Sequence, residues 1–213
     1  MNPKIAIYET SSEGCQIIYN QLKNIYSITI IHKVDVENGL VGYDLAIFPG
    51  SYEHIFAYIS SKKFQNRLIN YVKNGGNFLG ICGGSVLGLY LYTKTIWSLD
   101  DLRLAPYYIY YVIFNKRGKF HIKWEPNNNF GKIGEQEITW AGGPYITENL
   151  GMEAEAKYTE NKFLLPFKNK IAIASGKFGN GKVVLFGPHP EYPCNDEDNF
   201  DLIIKTINNF FKA

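Results

Sequence analysis

Cysteine is scarce in this chain, with only Cys15, Cys82 and Cys194 among 213 residues. An odd number without the spacing of a disulfide framework argues against a secreted scaffold and favours a reducing compartment. No apolar run approaches the ~18 residues of a membrane span, and the N-terminus lacks the charged and apolar regions of a signal peptide. We therefore expect a cytoplasmic protein that does not act at a membrane.

An excess of charge of one sign is also missing. The chain has 22 Lys and Arg against 20 Asp and Glu, for a formal net charge of +2. This balance gives no electrostatic basis for binding nucleic acid. Apolar residues make up 46% of the chain, which excludes a disordered protein, and no repeat or linker divides it. We expect one domain over residues 1–213.

The first half of the chain alternates between short β-branched segments and amphipathic segments. The β-branched segments predict strands at residues 4–8, 27–31, 44–48 and 78–81. Between them lie a helix capped by Ser11 or Ser12 and a second helix that includes Phe64 to Val72. Strands that alternate with helices predict an α/β fold, with a doubly wound, mostly parallel sheet flanked by helices.

The second half has a different pattern. Residues 170–174 and 182–186 are two strands joined through glycines, which predict a late antiparallel hairpin. An aromatic strand at 107–114 is expected to pair with residues 120–124, followed by a surface loop at 125–134. Asn195 or Asp196 is expected to cap a last amphipathic helix.

One cysteine lies in a cluster of glycines, in the run Gly80-Ile81-Cys82-Gly83-Gly84. An apolar strand precedes Cys82 and a helical pattern follows it, which is typical of a nucleophile elbow. Such a turn puts the sulfur at the N-terminus of the next helix, where free backbone N–H groups favour the reactive thiolate. The pattern predicts Cys82 as a nucleophile.

A base and an orienting carboxylate follow more than a hundred residues later, in His189-Pro190-Glu191. They come after the strand at 182–186, so they are expected at the same sheet edge as Cys82. Residues two apart in extended chain point to the same side. His189 would transfer protons and Glu191 would orient its ring.

The developing negative charge of an attacked carbonyl needs backbone N–H donors. The amide of Gly83, directly after the nucleophile, is one candidate. Gly50, in the turn Phe48-Pro49-Gly50-Ser51 after the third strand, is the second.

Each motif alone has a simpler explanation. A free cysteine is often a buried apolar residue, and His-Pro-Glu is often a surface turn. Cys82, His189, Glu191 and Cys194 also have the chemistry of zinc ligands, but the glycines of the elbow favour a triad. We therefore expect no metal and no cofactor.

Taken together, these motifs resemble those of the class I glutamine amidotransferase-like superfamily. Its members have a Gly-x-Cys-x-Gly elbow, an earlier glycine turn for the oxyanion, and a late His-Pro-Glu. The matching residues are Gly80, Cys82, Gly84, Gly50, His189 and Glu191.

Three segments are more narrowly similar to the amidotransferase-like N-terminal domain of biotin–protein ligases: residues 71–84, 140–145 and 181–191. This resemblance implies a flavodoxin-like sheet and a Gly142-Gly143-Pro144 turn near the site. The residues expected to bind the oxyanion or substrate are Gly50, Ser51, Gly83, Gly84, Gly143 and Pro144.

Two features depart from these families. Glutamine-using members usually carry Gln two residues before the histidine, where this chain has Gly187. The Gly-Arg-Gly-Arg nucleotide loop of the biotin ligase module is absent, so no biotin ligase activity is expected from these residues.

The sequence thus favours a cysteine hydrolase or amidotransferase that acts on an amide through Cys82, His189 and Glu191. One alternative is a non-catalytic binding or regulatory module, whose pocket holds a small amide or carboxylate or which docks on a protein partner. The other is an enzyme of the intracellular peptidase and deglycase type, in which Glu9 would touch Cys82. The substrate stays open.

Overall fold

The computed structural model describes residues 2–93, 117–146, 151–162, 166–195 and 198–212, within which nine strands form one sheet. The strands are β1 (Lys4–Tyr8), β2 (Ser27–Ile31), β3 (Leu45–Phe48), β4 (Asn77–Ile81), β5 (Gly118–Trp124), β6 (Glu135–Trp140), β7 (Glu153–Tyr158), β8 (Ile171–Phe178) and β9 (Gly181–Phe186). The described helices are α1 (Glu13–Leu22), α2 (Lys33–Asn38), α3 (Glu53–Ser60), α4 (Lys62–Lys73), α5 (Gly83–Thr93) and α6 (Asp201–Phe211).

The sheet is mixed. Its order is β2-β1-β3-β4-β9-β8-β7-β5-β6. The pairings from β2 to β9 are parallel, and the four from β9 to β6 are antiparallel. The α/β class and the late antiparallel hairpin, β8 with β9, are confirmed, but the prediction of a mostly parallel sheet is wrong.

The change from parallel to antiparallel pairing has a simple physical cause. Parallel neighbours need a long crossover, which α1 to α4 supply between the first strands. Strands β5 and β6 are joined by the loop at 125–134, and β8 and β9 by a tight turn, so each pair runs antiparallel. Strands β6 and β7 escape detection in the sequence because charged residues such as Glu137, Glu153 and Glu155 interrupt their apolar pattern.

Alternate residues of the central strands pack into two cores on opposite faces of the sheet. Ile5 and Ile7 of β1 face one core with residues of α1 and α6, and Ala6 and Tyr8 face the other with residues of α2 to α5. The helices therefore cover both faces of the parallel part of the sheet.

Several element boundaries agree with the sequence pattern. Strands β1 and β2 have the predicted bounds, and Ser12 caps α1 by accepting from the Cys15 amide at 3.3 Å. The last helix begins at Asp201, not after Asn195, and the alternative cap Asp196 lies outside the described residues. Asn195 has a φ of +53°, whereas an N-cap needs extended backbone. The strand predicted at 107–114, with its pairing, lies outside the described residues.

The parallel strands all end at one edge of the sheet. In register, Phe48 of β3 pairs with Gly80 of β4, and Ile81 of β4 pairs with Phe186 of β9. The turns after these three strands, which carry Gly50, Cys82 and His189, therefore meet at one edge. None of the described helices is long and apolar enough to cross a membrane.

Candidate active site

Cys82 has the backbone of a nucleophile elbow. Its φ of +51° lies in the left-handed region, which side chains other than glycine rarely adopt. The Cys82 amide donates to the Phe186 carbonyl at 2.8 Å, and the Ser85 amide donates to the Cys82 carbonyl at 2.9 Å. These bonds to β9 and to the first turn of α5 hold the strained residue in place.

The glycines after Cys82 allow the elbow to press against the end of β3. A methyl group on Gly83 would collide with the Ser51 carbonyl oxygen, and one on Gly84 with the Phe48 carbonyl oxygen. Only glycine permits this approach. The predicted oxyanion turn and the elbow are thus in direct backbone contact.

His189 and Glu191 form a buried pair. Nδ1 of His189 lies 2.7 Å from Oε1 of Glu191, and their side chains are 6% and 0% exposed. The His189 amide donates to the Thr139 carbonyl at 2.8 Å, so β6 anchors the backbone of this segment. The motif is therefore neither a surface turn nor a solvated pair.

Gly50 lies between the cysteine and the histidine. A methyl group on Gly50 would lie 2.5 Å from Cε1 of His189 and 3.3 Å from Cβ of Cys82. The three turns predicted to form one site therefore contact each other around this glycine.

The surroundings of His189 favour its protonated form. Burial lowers the pKa of the imidazole, but the charges of Glu191 and Cys82 outweigh burial and hold the pKa well above 6.5. Nε2 of His189 is buried and has no hydrogen-bond partner in the described part of the chain. Besides Glu191, the side chain that acts on this ring is Cys82.

The turn at residues 141–144 covers the sulfur. The sulfur of Cys82 lies 3.8 Å from the Ala141 carbonyl oxygen, and a methyl group on Gly143 would lie 3.5 Å from the sulfur. The indole N–H of Trp140 donates to the Gly143 carbonyl at 2.8 Å and so holds the turn. Cys82 is only 6% exposed.

Two residues predicted for the site, Ser51 and Pro144, lie beside it, but their side chains do not face the sulfur of Cys82. The hydroxyl of Ser51 accepts from the amide of Glu53, the first residue of α3, at 3.2 Å. The Pro144 carbonyl accepts from the Tyr158 hydroxyl at 3.4 Å and lies against Gly187. A methyl group on Gly187 would collide with that carbonyl, so the position that often holds glutamine has no room for a side chain.

Other residues at the site are not evident from the sequence motifs. Gly14, in the first turn of α1, approaches Glu191 so closely that a methyl group would lie 2.5 Å from Oε1. The Tyr192 ring lies 5.2 Å from the His189 ring, and the Arg117 guanidinium lies 4.2 Å from the Tyr192 ring. A glycine in the first turn of an otherwise regular helix is the one sequence signal for Gly14.

The remaining candidates are apart from this constellation. Glu9 pairs with His32 at 2.9 Å, and its side chain is 57% exposed, whereas Cys82 is buried. Cys15 and Cys194 are buried free thiols. Within the described ranges no group of three His, Cys, Asp or Glu residues could hold a metal ion.

Comparison with known proteins gives a sequence match over part of the chain and structural matches over nearly all of it. Residues 19–107 match the family model of the CobB/CobQ-like glutamine amidotransferase domain. No curated protein sequence matches the chain.

The similar solved structures include a GMP synthase subunit from Thermoplasma acidophilum, with a TM-score of 0.66, 14% identity, and coverage of 99% of this chain and 94% of that one. A structure described as glutamine amidotransferase has a TM-score of 0.61, 14% identity, and coverage of 97% and 96%.

A β-galactosidase from Bacillus circulans has a TM-score of 0.60, 16% identity, and coverage of 98% of this chain. The chain spans only 30% of the length of that enzyme. At such identities the likeness describes the fold alone. The family model matches less than half of the chain, so the comparisons show a similarity to glutamine amidotransferase domains in part of the sequence and in the fold.

Proposed function

We propose that this protein is a cysteine-dependent amide hydrolase or amidotransferase, with Cys82 as nucleophile, His189 as proton carrier and Glu191 as orienting carboxylate. The observation that carries the proposal is the buried 2.7 Å contact between His189 and Glu191, joined to Cys82 through Gly50. A purely structural cysteine does not need a left-handed backbone or a buried, protonated histidine beside it.

The reaction follows from the protonation states. The Cys82 thiolate attacks the amide carbon, and the oxygen takes up the negative charge next to the Gly83 amide and the Gly50 turn. The His189 imidazolium gives its proton to the leaving amine as the C–N bond breaks, which leaves a thioester. Neutral His189 then takes a proton from water, or from an acceptor amine, whose attack releases Cys82.

Glutamine is not the favoured substrate. Gly187 and the Pro144 carbonyl are in contact where glutamine-using relatives commonly carry a glutamine side chain. We propose a different small amide, because the turn at residues 141–144 covers the sulfur and Cys82 is only 6% exposed.

The test is turnover of a panel of small amides and activated esters by purified protein. Loss of all turnover in Cys82→Ser, with full turnover in Cys15→Ser, supports the proposal. Cys15 is the matched control because it is also a buried free thiol.

Iodoacetamide gives a second measurement that needs no substrate. The proposed imidazolium partner favours the thiolate, so we expect iodoacetamide to alkylate Cys82 faster than an ordinary thiol at neutral pH. If the alkylation rate of Cys82 follows the profile of an ordinary thiol, or if Cys82→Ser retains turnover, the enzymatic proposal fails.

The second candidate function is a binding or regulatory module. It is favoured by the burial of the unpartnered Nε2 of His189, which could hold a small carboxylate or amide without turnover. Binding of such a ligand that persists in Cys82→Ser, without product, would favour this function.

We also propose the narrower relationship to the N-terminal domain of biotin–protein ligases, with a flavodoxin-like parallel half of the sheet and a cytoplasmic location. A protein partner would then use this domain as an accessory module. The peptidase-like alternative is not favoured, since Glu9 is bound to His32.

A further inference from the structure

His54 is a buried histidine that the mechanism above does not use. It lies in the first turn of α3 and is fully buried. Its ring packs edge-on against Tyr8, at 5.8 Å between centroids, and against Phe48, at 5.7 Å. The neighbourhood is aromatic, and a phenylalanine would fit it.

This location is unfavourable for a polar ring. Neither nitrogen has a hydrogen-bond partner in the described residues. Burial lowers the pKa of His54 to about 4, although the Gly83 backbone and the Glu53 carboxylate act in the opposite direction. The neutral ring keeps one N–H, and a buried polar group that is left unpaired destabilises a protein.

The ring lies behind the predicted oxyanion site. Its partner Phe48 places a carbonyl oxygen against Gly84, and the next turn places the Ser51 carbonyl against Gly83. Helix α3 follows this turn directly, through the bond from the Glu53 amide to the Ser51 hydroxyl. His54 therefore packs behind the turn at residues 48–51 that would bind the oxyanion.

The Gly83 backbone is the polar group that acts on the ring. Its effect is to favour the protonated ring, which identifies an acceptor, the carbonyl, as the interacting group. Catalytic hydrogen bonds are often long in the free enzyme and shorten as the reaction proceeds. The Gly83 carbonyl, which acts on the ring although neither ring nitrogen has a hydrogen-bond partner among the described residues, fits this behaviour.

We propose that His54 is a positioning residue, whose ring N–H completes a hydrogen bond to the Gly83 carbonyl as the oxyanion forms beside Gly50. The bond would fix the peptide on the far side of Gly83 and so aim the Gly83 amide at the oxyanion. The inference rests on the proposed function. It implies that the histidine is kept although it lowers stability.

The test uses His54→Phe, which preserves the ring volume and removes both nitrogens, and His54→Gln, which restores a donor. Phe64→Leu is the matched control, since the Phe64 ring also packs edge-on against Tyr8 but lies on α4 instead of α3. Acylation of Cys82 by p-nitrophenyl acetate needs the oxyanion site, whereas alkylation by iodoacetamide does not.

We expect His54→Phe to unfold at the same or a higher temperature than the wild type. Its acylation rate should fall roughly tenfold while its alkylation rate stays unchanged, with partial recovery in His54→Gln. An unchanged ratio of acylation to alkylation in His54→Phe overturns the proposal.

Amide hydrogen exchange of Ser85 and Val86, whose amides donate to the Cys82 carbonyl, separates this proposal from the proposed function. Exchange should be roughly fivefold faster in His54→Phe, despite its thermal stability, and unchanged in Phe64→Leu. Unprotected wild-type amides, or exchange that is equal in wild type and His54→Phe, overturn the positioning role even if no ester acylates the wild type. If the wild type is not acylated but the exchange differs as expected, only the enzymatic function fails.

Discussion

Gly14 is in contact with the carboxylate of Glu191: a methyl group on Gly14 would lie 2.5 Å from Oε1. The first turn of α1 thus forms one wall of the site, although α1 lies almost the whole length of the chain from Glu191. The same oxygen accepts the bond from His189.

Gly14→Ala tests this wall. Alanine is favoured over glycine in a helix by about 1 kcal/mol, so without the contact the variant would be more stable. We expect instead a loss of about 1–3 kcal/mol from overpacking, with a loss of turnover as Glu191 moves from His189. Urea unfolding and turnover measure both effects. Gln16→Ala, on the exposed side of α1, is the control, and a Gly14→Ala variant that is stabilised and active contradicts the prediction.

Gly50→Ala tests the contact that joins the cysteine to the histidine. The methyl group would lie 2.5 Å from Cε1 of His189, so the ring must move away from Cys82. Because a shift of about 1 Å can lower a rate roughly a hundredfold, we expect a loss of that order in turnover.

The control for Gly50→Ala is Gly42→Ala. Gly42 has a φ of +87° and no neighbour within 4 Å of the added methyl group, so alanine there strains the backbone without touching the site. It should lower the melting temperature and leave turnover intact. Equal turnover in the two variants would remove the argument for Gly50.

Glu191→Gln tests the charge that keeps His189 protonated. Burial lowers the pKa of His189, but Glu191 and Cys82 raise it well above 6.5. A histidine whose pKa is higher in the folded than in the unfolded protein stabilises the fold fully at pH values below its unfolded pKa of about 6.5. This stabilisation is lost as the pH rises through its pKa in the folded protein. Glu191→Gln should therefore be less stable than the wild type by about 3–5 kcal/mol at about pH 6, and this difference should become smaller as the pH rises.

Urea unfolding of wild type and Glu191→Gln across this pH range measures the difference. Glu13→Gln, at an exposed ion pair with Arg117, is the control and should show a small difference. A difference between wild type and Glu191→Gln that grows with pH would contradict a protonated His189 in the folded protein.

Trp140→Phe tests the turn over the sulfur. The variant removes the indole N–H that donates to the Gly143 carbonyl at 2.8 Å and should destabilise the protein by about 1–3 kcal/mol. Loosening of the turn should also make Cys82 react faster with iodoacetamide. Trp124→Phe is the control, because its indole donates to Gln136, at 3.0 Å, away from the turn. Faster alkylation in both variants, or in neither, argues against a covering role.

The local patterns of the sequence determined the elbow, the pair at His189 and Glu191, and the bounds of β1 and β2. These features depend on neighbouring residues: glycines that permit a tight turn, β-branched residues that favour strands, and a serine that caps a helix. The sequence also indicated that Gly50, Cys82 and His189 lie at strand ends, which the register of β3, β4 and β9 confirms.

Only the tertiary structure decided how distant segments meet. The antiparallel half of the sheet depends on strands with interrupted apolar patterns, which pair because their connections are too short for crossovers. The contact of Gly14 with Glu191, the turn over Cys82 and the burial of His54 beside Phe48 arise from packing between segments far apart in the chain. No local pattern encodes such contacts, because their energy depends on which surfaces the completed fold brings together.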